Sequence, residues 1–230
     1  MISIIIPTFN EAENIEALIR FLNADNQKGN IEIIVVDGGS VDQTLQAAKK
    51  LGARVLLAPA KGRAAQMNYG AYHSLGDILY FVHADTFPAK SFDRDIQAAV
   101  AEGFEFGRYR TRFLSKKWIL KANAFFTRYD LFICYGGDQT LFMTKGLFNK
   151  INGFNGEMLI MEDYDIVQRA KSGGKYKIMP EAALVSARKY NDNTWLQVQK
   201  ANYRIVQMYK KGASQLEMVN RYRQMLNYRP

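Results

Sequence analysis

The sequence predicts an α/β fold, with a doubly wound, mostly parallel central sheet flanked by helices and further helices at the C-terminal end. Three observations carry this. Over the first 90 residues, short β-branched apolar runs alternate with stretches of helical spacing. The runs are continuously apolar, as strands buried on both faces require. Each ends in polar, turn-forming residues, the pattern of a sheet that binds ligands at the carboxyl ends of its strands.

The elements follow in order. Residues 3–7 form the first run, and Ile15, Leu18, Ile19 and Leu22 give residues 11–22 helical spacing. Residues 31–36 are the second run, followed by a helical stretch over 41–51. Residues 54–57 and 77–82 are the third and fourth runs, separated by a helix over 62–74. The pattern then changes. Residues 91–101 read as helix, 105–114 alternate like a strand, and 116–126 read as helix, while residues 108–135 mix aromatic with basic side chains. A short strand is expected over 139–144, with Thr144 placed to cap a helix beginning at Lys145. A helix over 163–171 and a short strand over 182–186 come next, and from Thr194 two helices break near Gly212.

Composition narrows the class. The chain has 230 residues, 48% hydrophobic and 23% charged, which excludes a disordered chain and suits one domain with a small appendage. A single cysteine, Cys134, excludes a disulfide framework and a multi-cysteine zinc site, and it reads as a small core residue. Two histidines exclude histidine-rich metal chemistry. No apolar stretch is long enough for a membrane span, and the N-terminal run lacks a basic lead and stops at Pro7, so a cytoplasmic location is expected.

The net charge is +9, unevenly spread: residues 188–230 carry nine basic and two acidic residues, against 22 and 20 in the rest. The expected division is a catalytic domain over 1–187 and a basic helical extension over 188–230, packed on or beside it. Trp195, Val198, Ile205 and Met208 share one helical face, and Leu216, Val219, Arg223 and Leu226 follow a similar rhythm. Packing on the domain is the first reading of this tail. Contact with an anionic membrane surface, on the inner face of the membrane, is the second.

Acidic residues stand at three of the four strand tips: Glu11, Asp37 and Asp85. In Asp37-Gly-Gly-Ser-Val-Asp-Gln-Thr, the acid is an acceptor for a base amide or ribose hydroxyl, or it closes an Asx-turn, with Asp42 and Thr44 near the next helix start. In His83-Ala-Asp85, the aspartate is a hard oxygen ligand for a cation bridging phosphates, or a cap. In Glu162-Asp163-Tyr-Asp165, adjacent acids supply a general base, or favourable charge at a helix N-terminus. Gly136-Gly-Asp-Gln139 is a glycine turn or a sugar contact through Gly137, Asp138 and Gln139.

In order and spacing, these motifs resemble the family 2 glycosyltransferases. The resemblance rests on Ser3-Ile-Ile-Ile-Pro-Thr-Phe-Asn-Glu, Val35-Val36-Asp37-Gly-Gly-Ser, His83-Ala-Asp85 at the metal-binding DxD position, and Glu162-Asp163 at the ED motif, and covers about residues 1–175. Val82-His-Ala-Asp-Thr86, Gly136-Gly-Asp-Gln139 and Ser186-Ala-Arg-Lys189 resemble more narrowly the radical-SAM/selenodomain-associated subgroup.

The resemblance implies a GT-A-type domain, a nucleotide-sugar donor (usually a UDP-sugar), Mg²⁺ or Mn²⁺, an acceptor hydroxyl, and inversion at the anomeric carbon. It implies that Pro7, Thr8, Asn10 and Glu11 line the nucleotide pocket and Asp37 contacts the uracil or ribose. Lys61, Gly62, Arg63 and Asn68 form a second nucleotide-contacting segment. Ala84 and Asp85 meet the diphosphate, Asp85 holds the metal, and Asp163 is the base with Glu162 beside it. Two departures stand out. His83 replaces the first acid of DxD, and no Gln-x-x-Arg-Trp follows the ED motif, which argues for transfer of one sugar and against a polymerising synthase.

The competing readings are a nucleotidyltransferase, a non-catalytic nucleotide-sugar-binding protein and a nucleic-acid-binding module. The first wants a glycine-rich basic loop after the first strand, where this chain has Pro7-Thr-Phe-Asn-Glu. The last lacks any recognisable signature, so no nucleic-acid partner is expected.

Overall fold

The computed structural model describes residues 1–25, 30–136 and 140–227. Strand β1 (Ile2–Thr8) leads into helix α1 (Ala12–Asp25), β2 (Ile31–Asp37), α2 (Thr44–Lys50), β3 (Arg54–Leu57), α3 (Arg63–Tyr72), β4 (Ile78–Phe81) and the two-residue β5 (Thr86–Phe87). The second half contains α4 (Phe92–Ala101), β6 (Phe106–Phe113), α5 (Trp118–Phe125), β7 (Leu141–Thr144), α6 (Lys145–Lys150), α7 (Glu162–Lys171) and β8 (Tyr176–Val185). The short α8 (Lys189–Asp192), then α9 (Trp195–Lys210) and α10 (Gln215–Met225), complete the described chain.

The strands form one sheet in the order β3-β2-β1-β4-β7-β6-β8-β5. β3, β2, β1 and β4 are parallel neighbours; β7 is antiparallel to β4 and β6; β8 is parallel to β6 and antiparallel to β5. Six strands therefore point one way, and the carboxyl ends of β1, β2, β3, β4, β6 and β8 share one edge. Pro7 sits inside β1, yet removes no bond from the β1–β4 ladder, whose pairing ends at Ile5.

Every residue of β1 is buried because apolar clusters cover both sheet faces. Ile4, Ile6, Ile15, Leu18, Tyr80 and Phe92 belong to one cluster, and Ile5, Ile34, Met67, Phe81, Phe154 and Ile166 to the other. Fully burying each such side chain stabilises by roughly 1.5–3 kcal/mol. At Gly107 the sheet is so tight that a Cβ would lie 2.3 Å from the Lys177 carbonyl oxygen and 2.6 Å from the Phe142 ring.

The structure departs from the sequence reading in three places. α2 begins at Thr44, because residues 41 and 42 are held in the preceding loop by Asn10 and Ala12. β8 starts at Tyr176 rather than residue 182; its first half contains Pro180, and a register shift absorbs the interruption. In α10, Met218 is buried while Leu216 is exposed, so Leu216 does not share the packed face. The tail helices also share clusters with the body. Val198, Ala201 and Leu226 pack with Leu120, and Ile205, Val206 and Met218 with Met158 and Met161. Among the described residues, no helix is long and apolar enough to cross a membrane.

Candidate functional site

The strand tips assemble through their loops. After β1, Asn10 adopts a left-handed φ of 54°. Its N–H donates to Ser40 Oγ at 2.8 Å, and its Oδ1 accepts from the Val41 N–H at 3.0 Å. Thr44 Oγ1 accepts from the Glu11 N–H at 2.9 Å, and Asp42 Oδ2 from the Ala12 N–H at 3.1 Å. These amides open α1, so the loop after β2 caps the neighbouring helix. Burial acts to raise the Asp42 pKa, but hydrogen bonds from Thr44 and Ala12 outweigh it and hold the carboxyl below its usual range.

Asp37 is fully buried. Its Oδ1 accepts from the N–H groups of Gly39 (2.9 Å) and Ser40 (2.7 Å), and its Oδ2 from the Thr8 hydroxyl (3.0 Å) and Ser40 hydroxyl (2.5 Å). The carboxylate therefore shapes the loop. That loop borders a cavity of about 360 Å³ lined by Asp37, Gly38, Gly39, Leu57, Pro59 and Lys61. Gln66, which the sequence reading missed, is buried and donates from Nε2 to the carbonyls of both Thr8 and Val36 at 2.8 Å. It ties the tips of β1 and β2 together. A glutamine inside a helix carries no positional signal, so only the fold reveals it.

Pro7 and Thr8, expected to line the nucleotide pocket, are buried and form the floor of this region. Asn68 is held by the backbone of Phe154. Its Nδ2 donates to the Phe154 carbonyl at 2.8 Å and its Oδ1 accepts from the Phe154 N–H at 2.9 Å, so its amide is committed to bracing the loop after α6. Ala84, next to Asp85 in the chain, is buried in the core.

Lys61, Gly62 and Arg63 do stand at the edge. Gly62 has φ 117°, a conformation L side chains rarely adopt, and it launches α3. Arg63 Nε lies 2.8 Å from Glu162 Oε1; the arginine is 43% exposed and the glutamate 1%. Among the described residues neither Glu162 oxygen has an aligned hydrogen bond, so this is a charge contact that sets the Arg63 guanidinium against a buried carboxylate. Met161 before it has a left-handed φ of 70°. Such strain in a non-glycine residue marks an element held in place by its surroundings. Asp163 follows, half-buried in the first turn of α7. Asp165 Oδ2 accepts from Arg169 Nε at 2.8 Å one turn on.

Beyond β4, the His83 carbonyl accepts from the Thr86 N–H at 3.0 Å, a turn that presents Asp85. The Ser186 N–H donates to the Asp85 carbonyl at 3.1 Å, which brings the end of β8 alongside. Arg188 then reaches back. Its Nη1 and Nη2 donate to the two Glu11 carboxylate oxygens at 3.0 and 2.7 Å, and its Nε lies 3.1 Å from Asp85 Oδ2. A domain boundary at 187/188 would cut this cluster. Arg188 was visible only as part of Ser186-Ala-Arg-Lys189.

The structure thus gathers Glu11, Asp85 and Arg188 in one group, Asp37 and Lys61 around one cavity, and Arg63 with Glu162 in a third group at the same edge. Gly137, Asp138 and Gln139 lie outside the described residues. Among the described residues, no three His, Cys, Asp or Glu side chains converge to hold an ion. Asp85 and Glu11, both paired with Arg188, bring two carboxylates to one place. One or two carboxylates suit a Mg²⁺ or Mn²⁺ ion bound largely through its substrate's phosphates.

Residues 3–154 match the sequence profile described as Glycosyl transferase family 2. The chain belongs to that family. A PGL/p-HBAD biosynthesis glycosyltransferase of Mycobacterium tuberculosis is 31% identical over 182 residues, covering 72% of this chain and 67% of the relative. A second M. tuberculosis protein, an uncharacterized glycosyltransferase, is 36% identical over 90 residues, 37% of this chain and 34% of its own length. The chain therefore spans only about a third of that relative.

Among solved structures, S. aureus TarS 1-349 in complex with UDP-GlcNAc superposes with a TM-score of 0.69 at 19% identity, covering 81% of this chain and 58% of that one. Glucosyl-3-phosphoglycerate synthase from M. tuberculosis, bound to Mn²⁺, UDP and glucosyl-3-phosphoglycerate, gives 0.59 at 18% identity, covering 93% and 80%. These similarities establish the GT-A-type fold of this family 2 chain.

Proposed function

We propose that this family 2 member transfers a single sugar from a nucleotide-sugar donor, a UDP-sugar, to an acceptor hydroxyl, with inversion at the anomeric carbon. The observation that carries this reading is the fork of Arg188 on Glu11 and Asp85. It sets a cation and two carboxylates at the strand tips, where a nucleotide diphosphate binds in folds of this kind. The relatives described as glycosyltransferases and the neighbours crystallised with UDP-GlcNAc or UDP support the same donor class.

The roles follow from position. Asp37, through the loop it shapes, and Lys61 form the nucleotide end. Asn10 and Glu11 border the ribose and diphosphate. Asp85, with Glu11, would hold a divalent cation, which when bound neutralises charge on the departing diphosphate. Arg188 and Arg63 bring fixed positive charge to the same leaving group. Asp163 accepts the proton of the acceptor hydroxyl as its oxygen attacks the anomeric carbon from the face opposite the diphosphate. The diphosphate is already a good leaving group, so no second carboxylic acid is required. Glu162 positions Arg63 through their ion pair. Residues Gly137, Asp138 and Gln139 are assigned to the donor sugar or acceptor by the motif alone. The unit of function is residues 1–187 together with the tail that supplies Arg188. The narrower resemblance to the radical-SAM/selenodomain-associated subgroup is part of this proposal.

Screening thermal stability against a panel of nucleotide sugars with Mn²⁺, followed by assay of diphosphonucleoside release, tests the reading. Stabilisation by one donor and turnover with an acceptor extract are expected. Silence across the whole panel would overturn it.

A further inference from the structure

We infer that residues 106–129 and the exposed apolar residues that follow form a docking surface for an anionic phospholipid bilayer, with a lipid phosphate seated among Arg110, Arg112, Lys121 and Arg128. The inference is independent of the proposed sugar transfer.

Charge is the first observation. Residues 106–129 contain seven basic residues and no acidic one. Arg110 and Arg112 alternate along β6 and so point to the same face. Lys121 comes from α5 and Arg128 from the turn after it. All four line one cavity of about 420 Å³, together with Phe125 and Pro180. Among the described residues, none of the four is in an ion pair. Arg110 Nε is buried without a hydrogen-bond partner. Arg128 is held in place: its Nε donates to the Phe125 carbonyl at 2.9 Å, and its guanidinium carbon lies 3.8 Å from the Phe125 ring centroid. An unneutralised group of cations around a cavity is the complement of a phosphate.

The second observation is apolar exposure. Leu114, Trp118, Phe125, Phe126, Tyr129, Leu131 and Ile133 are all exposed, Trp118 to 75% and Ile133 to 69%. They are seven of the seventeen large hydrophobic side chains exposed among the described residues, within one twenty-residue stretch. Such a concentration marks an interaction surface. Basic residues interleaved with Trp, Phe and Leu are the composition of an interfacial membrane element.

The combination selects the occupant. In a symmetric dimer this patch would face itself and set cations against cations. A nucleic acid would satisfy the cations but leave Leu114, Leu131 and Ile133 without an apolar partner. A bilayer with anionic headgroups satisfies both. The tail helices do not compete for the role, because their buried faces are occupied. Val198, Ala201 and Leu226 pack against Leu120 on the inner side of α5, so the tail supports the docking element.

The location gives the surface a use. The Leu114 N–H donates to the Val185 carbonyl at 2.8 Å, and the Ser186 N–H to the Asp85 carbonyl at 3.1 Å. The start of the patch is therefore about 10 Å from Asp85, two strand spacings away. Docking would bring the cleft next to the lipid surface, within reach of an acceptor carried there.

The chain has two tryptophans, so a Trp195→Phe variant leaves Trp118 as the only one. Its emission is read with vesicles of phosphatidylcholine alone and with added phosphatidylglycerol, alongside co-sedimentation. The expected result is binding only with phosphatidylglycerol, a blue shift and quenching by brominated acyl chains, and loss of binding in high salt. A variant with Arg110→Gln and Lys121→Gln should bind about thirtyfold more weakly. Phe126→Ser should also weaken binding, and Lys210→Gln with Lys211→Gln should leave it near the parent. Circular dichroism and melting temperature show that each variant is folded. The proposal is overturned by no binding to anionic vesicles, by binding without any change at Trp118, by a larger loss in the tail variant than in the Arg110/Lys121 variant, or by dimerisation in place of vesicle binding.

Discussion

The Arg188 guanidinium lies 3.1 Å from the Asp85 carboxylate while its two terminal nitrogens fork onto Glu11. One side chain from beyond β8 thus holds two acids that the chain delivers from β1 and β4. An exposed ion pair of this kind stabilises a fold by about 1 kcal/mol or less, so the arrangement matters chiefly for chemistry.

Arg188→Ala is expected to lower kcat/KM for sugar transfer by about 100- to 1,000-fold, the scale of losing one preorganised group that stabilises developing charge. The melting temperature should barely change. Arg188→Lys should recover little, because an ammonium cannot fork onto a carboxylate. Steady-state kinetics of nucleotide release checks both variants.

Asp163→Asn is expected to lower kcat by at least about 100-fold, since an amide cannot take the acceptor proton. Nucleotide affinity, measured by titration calorimetry with UDP, should stay within a few fold of the parent. Activity near the parent level would remove Asp163 from its assigned role.

Asp85→Ala should weaken UDP binding in the presence of Mn²⁺ while leaving the weaker binding in EDTA almost unchanged. Calorimetry with and without the ion separates the two. Equal affinity for parent and variant in Mn²⁺ would show that the ion does not depend on this carboxylate.

Arg63→Ala leaves Glu162 buried without its cation. The expected cost is about 2 kcal/mol, at the moderate end because Arg63 is itself partly exposed. For a chain of this size that corresponds to a fall in melting temperature of about 6 °C. Combining Arg63→Ala with Glu162→Gln should restore part of the loss, because the uncompensated charge is gone. Differential scanning calorimetry of the single and double variants tests the coupling.

Much of this was legible in the sequence, for physical reasons. β1, β2 and β4 announce themselves because a central strand buried on both faces must be largely apolar, whereas β3 is an edge strand with Arg54 and Leu57 exposed. Thr144 was readable as a cap, and it does accept from the Leu147 N–H at 3.3 Å. β8 was only half visible, because Pro180 and Glu181 interrupt the run in its middle. Asp37 shows the limit of motif reading: it stands at the tip of β2, and its hydrogen bonds among the described residues run to Thr8, Gly39 and Ser40, a network the motif does not announce. Gln66 and the Asn68–Phe154 clasp depend on partners 58 and 86 residues away, which no local pattern encodes. Charge was also read too coarsely. Residues 1–187 sum to only +2, yet residues 106–129 alone contribute +7.

Glu11 and Arg188 are 177 positions apart in the chain. During synthesis β1, β2, β3 and the Asp37 loop can pair with one another early, whereas β5 must wait for its partner β8. The charge cluster therefore closes late, after a loop spanning most of the chain has been ordered. A chain stopped before Arg188 would carry the Asp37 loop without the charge cluster. Ligand binding that requires Arg188 would then report that this long loop has closed, and would favour its closure by mass action.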